Sequence, residues 1–251
     1  MRIEFSDQVV LVTGATRGIG KQIAEDFAQA GAEVLILTGT KEEEIRALNE
    51  SAETAGGSIR HYYCVDFTDP QSTERFLENI REFERIDVCI NNAGINRIDY
   101  ISETLVSDWD AILEVNLKAP FLILREVSRA MKENQYGRIV NIASIFGVIS
   151  REKRAIYSSS KFGLRGLTVA VSNELARYNV LVNSVSPGFV LTDLTKHILR
   201  QEEMKELAAQ IPVGRLAGPE EISRVVLFLS SSLNSYITGK NIIVDGGYVD
   251  V

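Results

Sequence analysis

"VVLVTGATRGIG", residues 9–20, runs from an unbroken apolar stretch through a glycine-rich turn into a helical pattern. The apolar run reads as a strand buried on both faces. Gly14, Gly18 and Gly20 follow it. Glycine allows a tight turn and lets backbone approach a phosphate closely, while the free N–H groups and dipole of the next helix attract that charge. From 18 to 30, Ile19, Ile23, Ala24, Phe27 and Ala28 share one face at helical spacing. A glycine trio alone is a weak signal that a structural turn also satisfies. Its strand–turn–helix setting is what points to a dinucleotide.

The same alternation continues down the chain. Further strands are expected at 33–37, 59–65, 86–91, 137–144, 180–186 and 241–245, most of them nearly continuous in Val, Ile and Leu. Helical patterns separate them; in 73–83 the apolar set is Phe76, Leu77, Ile80 and Phe83. Strand–helix alternation without linkers or repeats predicts an α/β fold: a single-domain Rossmann-type doubly wound sheet of about seven parallel strands with helices on both faces. One dinucleotide-binding and catalytic domain is expected over 1–251. The polar stretch 190–218 has weak strand signals and is expected to form a lid over the substrate.

Composition narrows the function. A 251-residue chain with 45% hydrophobic and 24% charged residues has enough apolar side chains for a core. Its net charge of -7 opposes nucleic acid as a partner. No apolar run approaches the roughly 18 residues of a membrane span. The N-terminus "MRIEFSDQVV" lacks an apolar signal core, so a cytoplasmic setting is expected. Cys64 and Cys89 lie in apolar runs without metal-ligand spacing and read as buried, reduced thiols; His61 and His197 are isolated, so no metal site is expected.

"IYSSSKFG" places Tyr157 and Lys161 one helical turn apart, with Ser144 thirteen residues before the tyrosine. Reduction of a carbonyl needs a hydride at carbon and a proton at oxygen. Tyr157 supplies the proton as general acid, and takes it back as general base in oxidation. A phenol near pKa 10 exchanges poorly at neutral pH, and the Lys161 ammonium on the same helix face is expected to lower that value. Ser144 donates a hydrogen bond to the substrate oxygen as charge grows there. Cofactor choice is read at the end of the second strand, where a carboxylate binds a ribose 2′-hydroxyl and repels a 2′-phosphate. Here stand Thr38, Gly39 and Thr40, with no carboxylate before Glu42, while Arg17 lies inside the glycine turn and Lys41 follows the strand. NADP(H) is favoured, with NAD(H) possible.

With these residues in hand the chain resembles the short-chain dehydrogenase/reductase family over essentially its whole length. "TGATRGIG" matches TGxxxGxG, and the resemblance implies cofactor contacts at Gly14, Thr16, Arg17, Gly18, Ile19 and Gly20. "NNAG" (91–94), "EVNLKAPF" around Asn116, Ser144 with the YxxxK of Tyr157 and Lys161, "SPGFVLTD" (186–193) and "GKNIIVDGG" (239–247) follow in the family's order. The resemblance implies that Asp66 and Phe67 line the adenine pocket. It implies that Asn92, Ala93 and Gly94 pass along the ribose, though much of that motif's role is packing. Pro187, Gly188, Val190 and Thr192 then flank the nicotinamide, with Tyr157 and Lys161 on its ribose. Asn116 is expected to anchor a water in a proton path from Lys161. A homotetramer is implied, built on long helices near 108–133 and 155–177, whose Leu117, Phe121 and Leu124 fit either an interface or a core.

The substrate is read less sharply. The overall pattern is similar to 3-oxoacyl-carrier-protein reductases, which implies a carrier-bound 3-oxoacyl thioester. Members that dock the carrier present Arg before the fifth and sixth strands; this chain has Gln135 and Tyr178, with Arg177 one position off. The loop "IFGVISREKRAI" carries Arg151, Lys153 and Arg154 near the site mouth, where they attract an anion, pair with a neighbouring subunit, or stand solvated. Another small alcohol or ketone, including a sugar-derived one, remains an alternative substrate. A sugar-nucleotide epimerase is disfavoured by the glycine spacing, and a non-catalytic dinucleotide binder by the retained Tyr157 and Lys161.

Overall fold

The computed structural model describes residues 3–54, 56–192, 195 and 200–250. Seven strands form: β1 (Val9–Val12), β2 (Val34–Gly39), β3 (Ile59–Cys64), β4 (Val88–Asn91), β5 (Gly137–Ile142), β6 (Val180–Pro187) and β7 (Asn241–Val244). All are parallel, in the order β3-β2-β1-β4-β5-β6-β7. The order reverses between β1 and β4, and ligands bind parallel sheets in the crevice at the carboxyl ends beside such a reversal.

Eight α-helices connect and flank the strands among the described residues: α1 (Gly18–Gln29), α2 (Glu42–Thr54), α3 (Pro70–Arg81), α4 (Val106–Leu113), α5 (Ala119–Glu133), α6 (Ala155–Leu175), α7 (Gln201–Ala209) and α8 (Pro219–Ser230). None of them is long and apolar enough to cross a membrane. Alternate strand residues face opposite sides. Leu11, Ile36, Cys89, Ile139 and Val182 meet Phe76, Leu77, Ile123, Val127 and Leu175 from α3, α5 and α6. Val10, Val12, Leu35, Val140 and Val185 meet Ile23 and Phe27 of α1 and Ile222 and Val226 of α8. Burial on both faces explains why these strands lack polar alternation.

Several expectations need correction. Cys64 is exposed, because β3 is an edge strand with only one neighbour; Cys89 is buried in β4, where burial pushes its thiol up to about 12. His61, on β3, stands edge-on to Phe83 at 5.8 Å, and His197 lies outside the described residues. The helix expected over 108–133 is interrupted by a π turn, Glu114–Lys118, between α4 and α5. Leu124 is core, Leu117 is half-buried against Gly163 of α6, and Phe121 is exposed. Within 190–218 the structure describes α7 and a bridge between Val190 and Ala217, while 193, 194 and 196–199 lie outside the described residues.

The carboxyl ends of β1 and β4 are tied together. Thr13 Oγ1 accepts the backbone N–H groups of Asn92 (2.9 Å) and Ala93 (3.0 Å). Asn92 Nδ2 donates to the carbonyls of Thr13 (2.9 Å) and Gly14 (3.0 Å). Thr13→Val conserves volume but strips the acceptor from two N–H groups. Urea unfolding should show a loss of about 2–4 kcal/mol, from orphaned donors at about 1–3 kcal/mol each, with Thr13→Ser recovering most of it. A valine variant as stable as the wild type would show that the clamp contributes nothing.

Candidate active site

Above the carboxyl ends of β1, β2 and β4 lies a cleft of about 300 Å³. Its walls hold most of the residues expected from sequence: Gly14, Arg17, Gly18, Ile19, Gly20, Thr38, Asp66, Phe67, Asn92, Ala93, Gly94 and Thr192. Gly14 (φ +65°) and Gly18 (φ +56°) adopt left-handed backbone that other residues resist. A side chain on Gly20 would collide with the Gly14 carbonyl and the Asn92 amide. Helix α1 begins at Gly18 with no side-chain cap and no acidic residue in its first turn. Its N–H groups are thus available for an anion, and the cleft fits a dinucleotide diphosphate.

Six other residues also line the cleft: Gly39, Thr40, Val65, Thr68, Ile95 and Val115. Gly39 and Thr40 simply continue from Thr38, and Thr68 from Phe67. Val115 arrives through the π turn, which no spacing rule announces. Thr16 lines a separate depression with Lys21 and Glu25. Its methyl fills the space beside Gly39, so its role is packing. Pro187, Gly188 and Val190 lie off the cleft wall. Gly188 packs on Asp245, and buried Val190 bridges to Ala217.

The end of β2 is free of carboxylates. Thr38 Oγ1 accepts the Gly14 N–H at 2.9 Å and is buried, so it holds the glycine turn. Glu42 is absent from the cleft wall and lies 3.7 Å from Arg46 across a helical turn. The Asp66 carboxylate is occupied by Thr68, accepting its N–H at 2.9 Å and its hydroxyl at 2.7 Å. Arg17 is exposed on the same wall.

Tyr157 and Lys161 rise from α6 beside Ser144, which follows β5. Ser144 lies close enough to the Tyr157 phenol to act on its pKa, and its Oγ accepts the Phe146 N–H at 3.1 Å, which fixes its rotamer. Burial raises the Tyr157 pKa, opposed first by Ser144 and then by the positive charge of Arg154. Lys161 was expected to supply that opposing charge. Burial lowers the lysine's own pKa to about 8, which leaves it mostly protonated at neutral pH, and the charge that acts on the phenol is that of Arg154. Its Nζ donates to the Ile142 carbonyl at 2.9 Å and lies 5.7 Å from the Tyr157 ring centre. A Cβ on Gly94 would sit 3.5 Å from that nitrogen, so the cleft floor reaches the lysine.

Asn116 sits in the π turn, fully buried. Its Oδ1 accepts the Ile95 N–H at 2.9 Å; its Nδ2 donates to the Ile95 carbonyl at 2.9 Å and to Ser160 Oγ at 3.1 Å. The amide is therefore taken up in binding the strand-like segment after β4 to α6.

Lys161 gives stability a pH dependence. Its folded pKa of about 8 lies below the unfolded value of 10.5, so above pH 8 the unfolded chain binds more protons. Stability therefore rises between pH 8 and pH 10.5. Relative to Lys161→Met, the cofactor-free wild type should gain about 2–3 kcal/mol across that window in denaturant titrations, at about 1.4 kcal/mol per pKa unit. Parallel curves for the two proteins would refute the buried-lysine assignment.

The chain matches the family model described as Enoyl-(Acyl carrier protein) reductase over residues 14–249. It is 42% identical over 248 residues to the 3-oxoacyl-(acyl-carrier-protein) reductase FabG of Aquifex aeolicus, covering 98% of this chain and 99% of that one. It is 39% identical over 246 residues to the Escherichia coli protein of the same name, covering 98% of each. Among solved structures it is similar to a protein described as an NAD(P)-dependent gluconate 5-dehydrogenase from Beutenbergia cavernae with bound NADP, with TM-score 0.92, 33% identity and full coverage of both chains. It is also similar to a gluconate 5-dehydrogenase from Burkholderia cenocepacia in complex with NADP and tartrate, with TM-score 0.90, 27% identity, and coverage of 100% of this chain and 98% of that one. The fold, the cleft and these full-length matches agree: the chain belongs to the short-chain dehydrogenase/reductase family, oxidoreductases that work with a nicotinamide dinucleotide.

Proposed function

We propose that the chain reduces a carbonyl to an alcohol with NADP(H), and that its substrate is a 3-oxoacyl thioester on a carrier. One observation carries the chemistry: Tyr157, Ser144 and Lys161 meet beside a dinucleotide cleft that presents Arg17 and no carboxylate at the end of β2. Bound in the cleft, the dinucleotide supplies the hydride. Ser144 orients the carbonyl oxygen by hydrogen bonding, and the Tyr157 phenol gives that oxygen its proton. The raised phenol pKa keeps the proton in place at neutral pH until charge develops on the substrate. Lys161, poised near pKa 8, holds the ribose edge and helps Tyr157 recover its proton. The Asn116 clamp keeps the floor below Lys161 rigid.

The thioester substrate is supported by the full-length FabG relatives. Arg177 stacks on the Tyr178 ring at 5.9 Å, which leaves a cation beside the usual carrier-docking position. A second reading, oxidation or reduction of a sugar-derived substrate, is favoured by the two gluconate 5-dehydrogenase neighbours. We read residues 1–251 as one domain carrying both functions, with 190–218 as its lid. We also read a homotetramer, supported by exposed Val106, Trp109, Phe121, Phe162 and Val169 along α4, α5 and α6. A light-scattering mass of one chain would refute that assembly.

The deciding experiment is NADPH and NADH oxidation with an acetoacetyl thioester and a panel of sugar-derived ketones. Thioester turnover with NADPH is expected. Tyr157→Phe should remove turnover by about a hundredfold or more, the usual scale for a general acid. Arg17→Ala should lower kcat/KM for NADPH by about tenfold while leaving that for NADH nearly constant. Full activity in the phenylalanine variant would sink the mechanism. Silence on the thioester with turnover of a sugar-derived ketone would select the second reading.

A further inference from the structure

The loop 145–154 and the start of α6 place two guanidinium groups against the catalytic tyrosine. Arg154 lies 5.1 Å from the centre of the Phe146 ring, and Arg151 lies 5.4 Å from the same ring. Arg151 also lies 6.0 Å from Phe189, in the segment that follows β6. Phe146 itself meets Tyr157 edge-on at 6.4 Å. Lys153 turns away instead, adopting φ +62° and sitting 4.2 Å over Tyr100. Of the three cations in this loop, two converge on Phe146, beside the tyrosine, and one leaves.

Among the described residues no carboxylate neutralises this pair. Arg154 is half-buried, and its Nε is buried without a hydrogen-bond partner. The charges that act on it are Arg151, which repels it, and Tyr157. Neither arginine joins an ion pair among the described residues, and Glu152 between them pairs with neither. Arg138 and Arg165 also have a buried Nε without a partner, but each gives its other N–H groups to backbone carbonyls, of Gly137 and Asn179 and of Gly147, whereas other arginines meet carboxylates. Arg60 makes two bonds to Glu25, Arg215 two to Glu221, and Arg81, Arg125 and Arg129 gather on buried Glu126. Arg154, partly desolvated and repelled by exposed Arg151 beside it, lacks a counter-charge, and an anion between the two would relieve both costs. The planar fork of arginine suits a carboxylate in particular.

We infer that Arg151 and Arg154 form a subsite for a carboxylate carried by the substrate itself, within a few bonds of the carbonyl that Tyr157 and Ser144 hold. The inference rests on the carbonyl-reductase chemistry alone and names oxo acids as a substrate class beside the carrier thioester, whose carboxyl is held in the thioester and leaves this subsite unused. Phe146 and Phe189 shield the subsite from water and keep the two forks in place, so the anion is oriented as well as attracted. The hydride and proton inventory is that of the reduction above, and the carboxylate is not transformed.

The test compares kcat/KM with NADPH for acetoacetate, 4-oxopentanoate and 5-oxohexanoate with that for the methyl ester of each. At one or more of these lengths the acid should exceed its ester by about tenfold, and the preference should shrink as salt rises. Arg154→Gln and Arg151→Gln should each bring the ratio towards one. Arg46→Gln, which removes an exposed charge on α2, should leave the ratio as it was. Because acid and ester share the same carbonyl chemistry, the ratio cancels any effect of Arg154 on the tyrosine. A ratio near one at every length in the wild type, or a preference that survives both glutamine variants, overturns the inference. Absence of turnover with every ketone counts against the carbonyl-reductase reading instead, and calorimetry of the NADP(H)-loaded protein with the same acids then reads the subsite directly. Binding of an acid that Arg154→Gln abolishes supports it; no binding, or equal binding in wild type and variant, overturns it.

Discussion

The structure depends on the clamp that joins the carboxyl ends of β1 and β4. A doubly wound sheet opens a crevice where its strand order reverses, and the two strands bounding that crevice diverge from it. Here Thr13 Oγ1 and the Asn92 amide make four hydrogen bonds across the gap. They hold the glycine turn at the spacing a diphosphate needs. Thr38 adds a third support from β2 through the Gly14 N–H. The absence of a side chain at Gly20 completes the arrangement, because a Cβ there would strike both the Gly14 carbonyl and the Asn92 amide. Polar side chains at three strand ends thus preorganise backbone that would otherwise lose entropy on meeting its ligand.

The second set of constraints lies below the cleft. Lys161 is buried with one carbonyl partner, and Asn116 ties Ile95 to α6 through Ser160. The π turn makes this possible, since a regular helix over 108–133 would turn Asn116 to another angle. Burial acts in opposite chemical directions on the two groups of the YxxxK pair. It favours the neutral phenol and also the neutral amine. The pair is therefore poised to exchange a proton when a negative charge, on ligand or substrate, enters a site of low polarisability.

Much of this was legible in the residues. All seven strands were located with ends differing by one or two residues, and most of them by nearly continuous Val, Ile and Leu runs, because burial on both faces leaves an apolar signature. Glycines followed by a helix located the cleft, since few sequences combine them for another reason. Other features depended on neighbours that spacing does not encode. Cys64 is apolar by pattern yet exposed, because only tertiary order makes β3 an edge. Val115 lines the cleft through a helix irregularity, and Thr16 misses it by facing the opposite side of its turn. The burial that lowers the pKa of Lys161 and raises that of Tyr157 is invisible in an i, i+4 spacing.

The loop before α6 shows why scaffold and specificity separate so cleanly in this fold. The groups that transfer the proton stand on β5 and α6, locked by the core and by the clamps around them. The stretch 145–154 is held to α6 by Ile145, Phe146 and Gly147 and by the Ser150–Ser158 hydrogen bond, while exposed Arg151 stands outside these contacts, so charge there can vary without disturbing the sheet. Three cations in four residues would ordinarily spread into solvent. Here the backbone at Lys153 takes a left-handed turn that sends the lysine to Tyr100 and leaves both arginines on Phe146. That geometry costs desolvation with no return inside the protein. Half-buried Arg154, with exposed Arg151 beside it on the same ring, meets no carboxylate among the described residues, and on the reading proposed above the compensating charge arrives with the substrate.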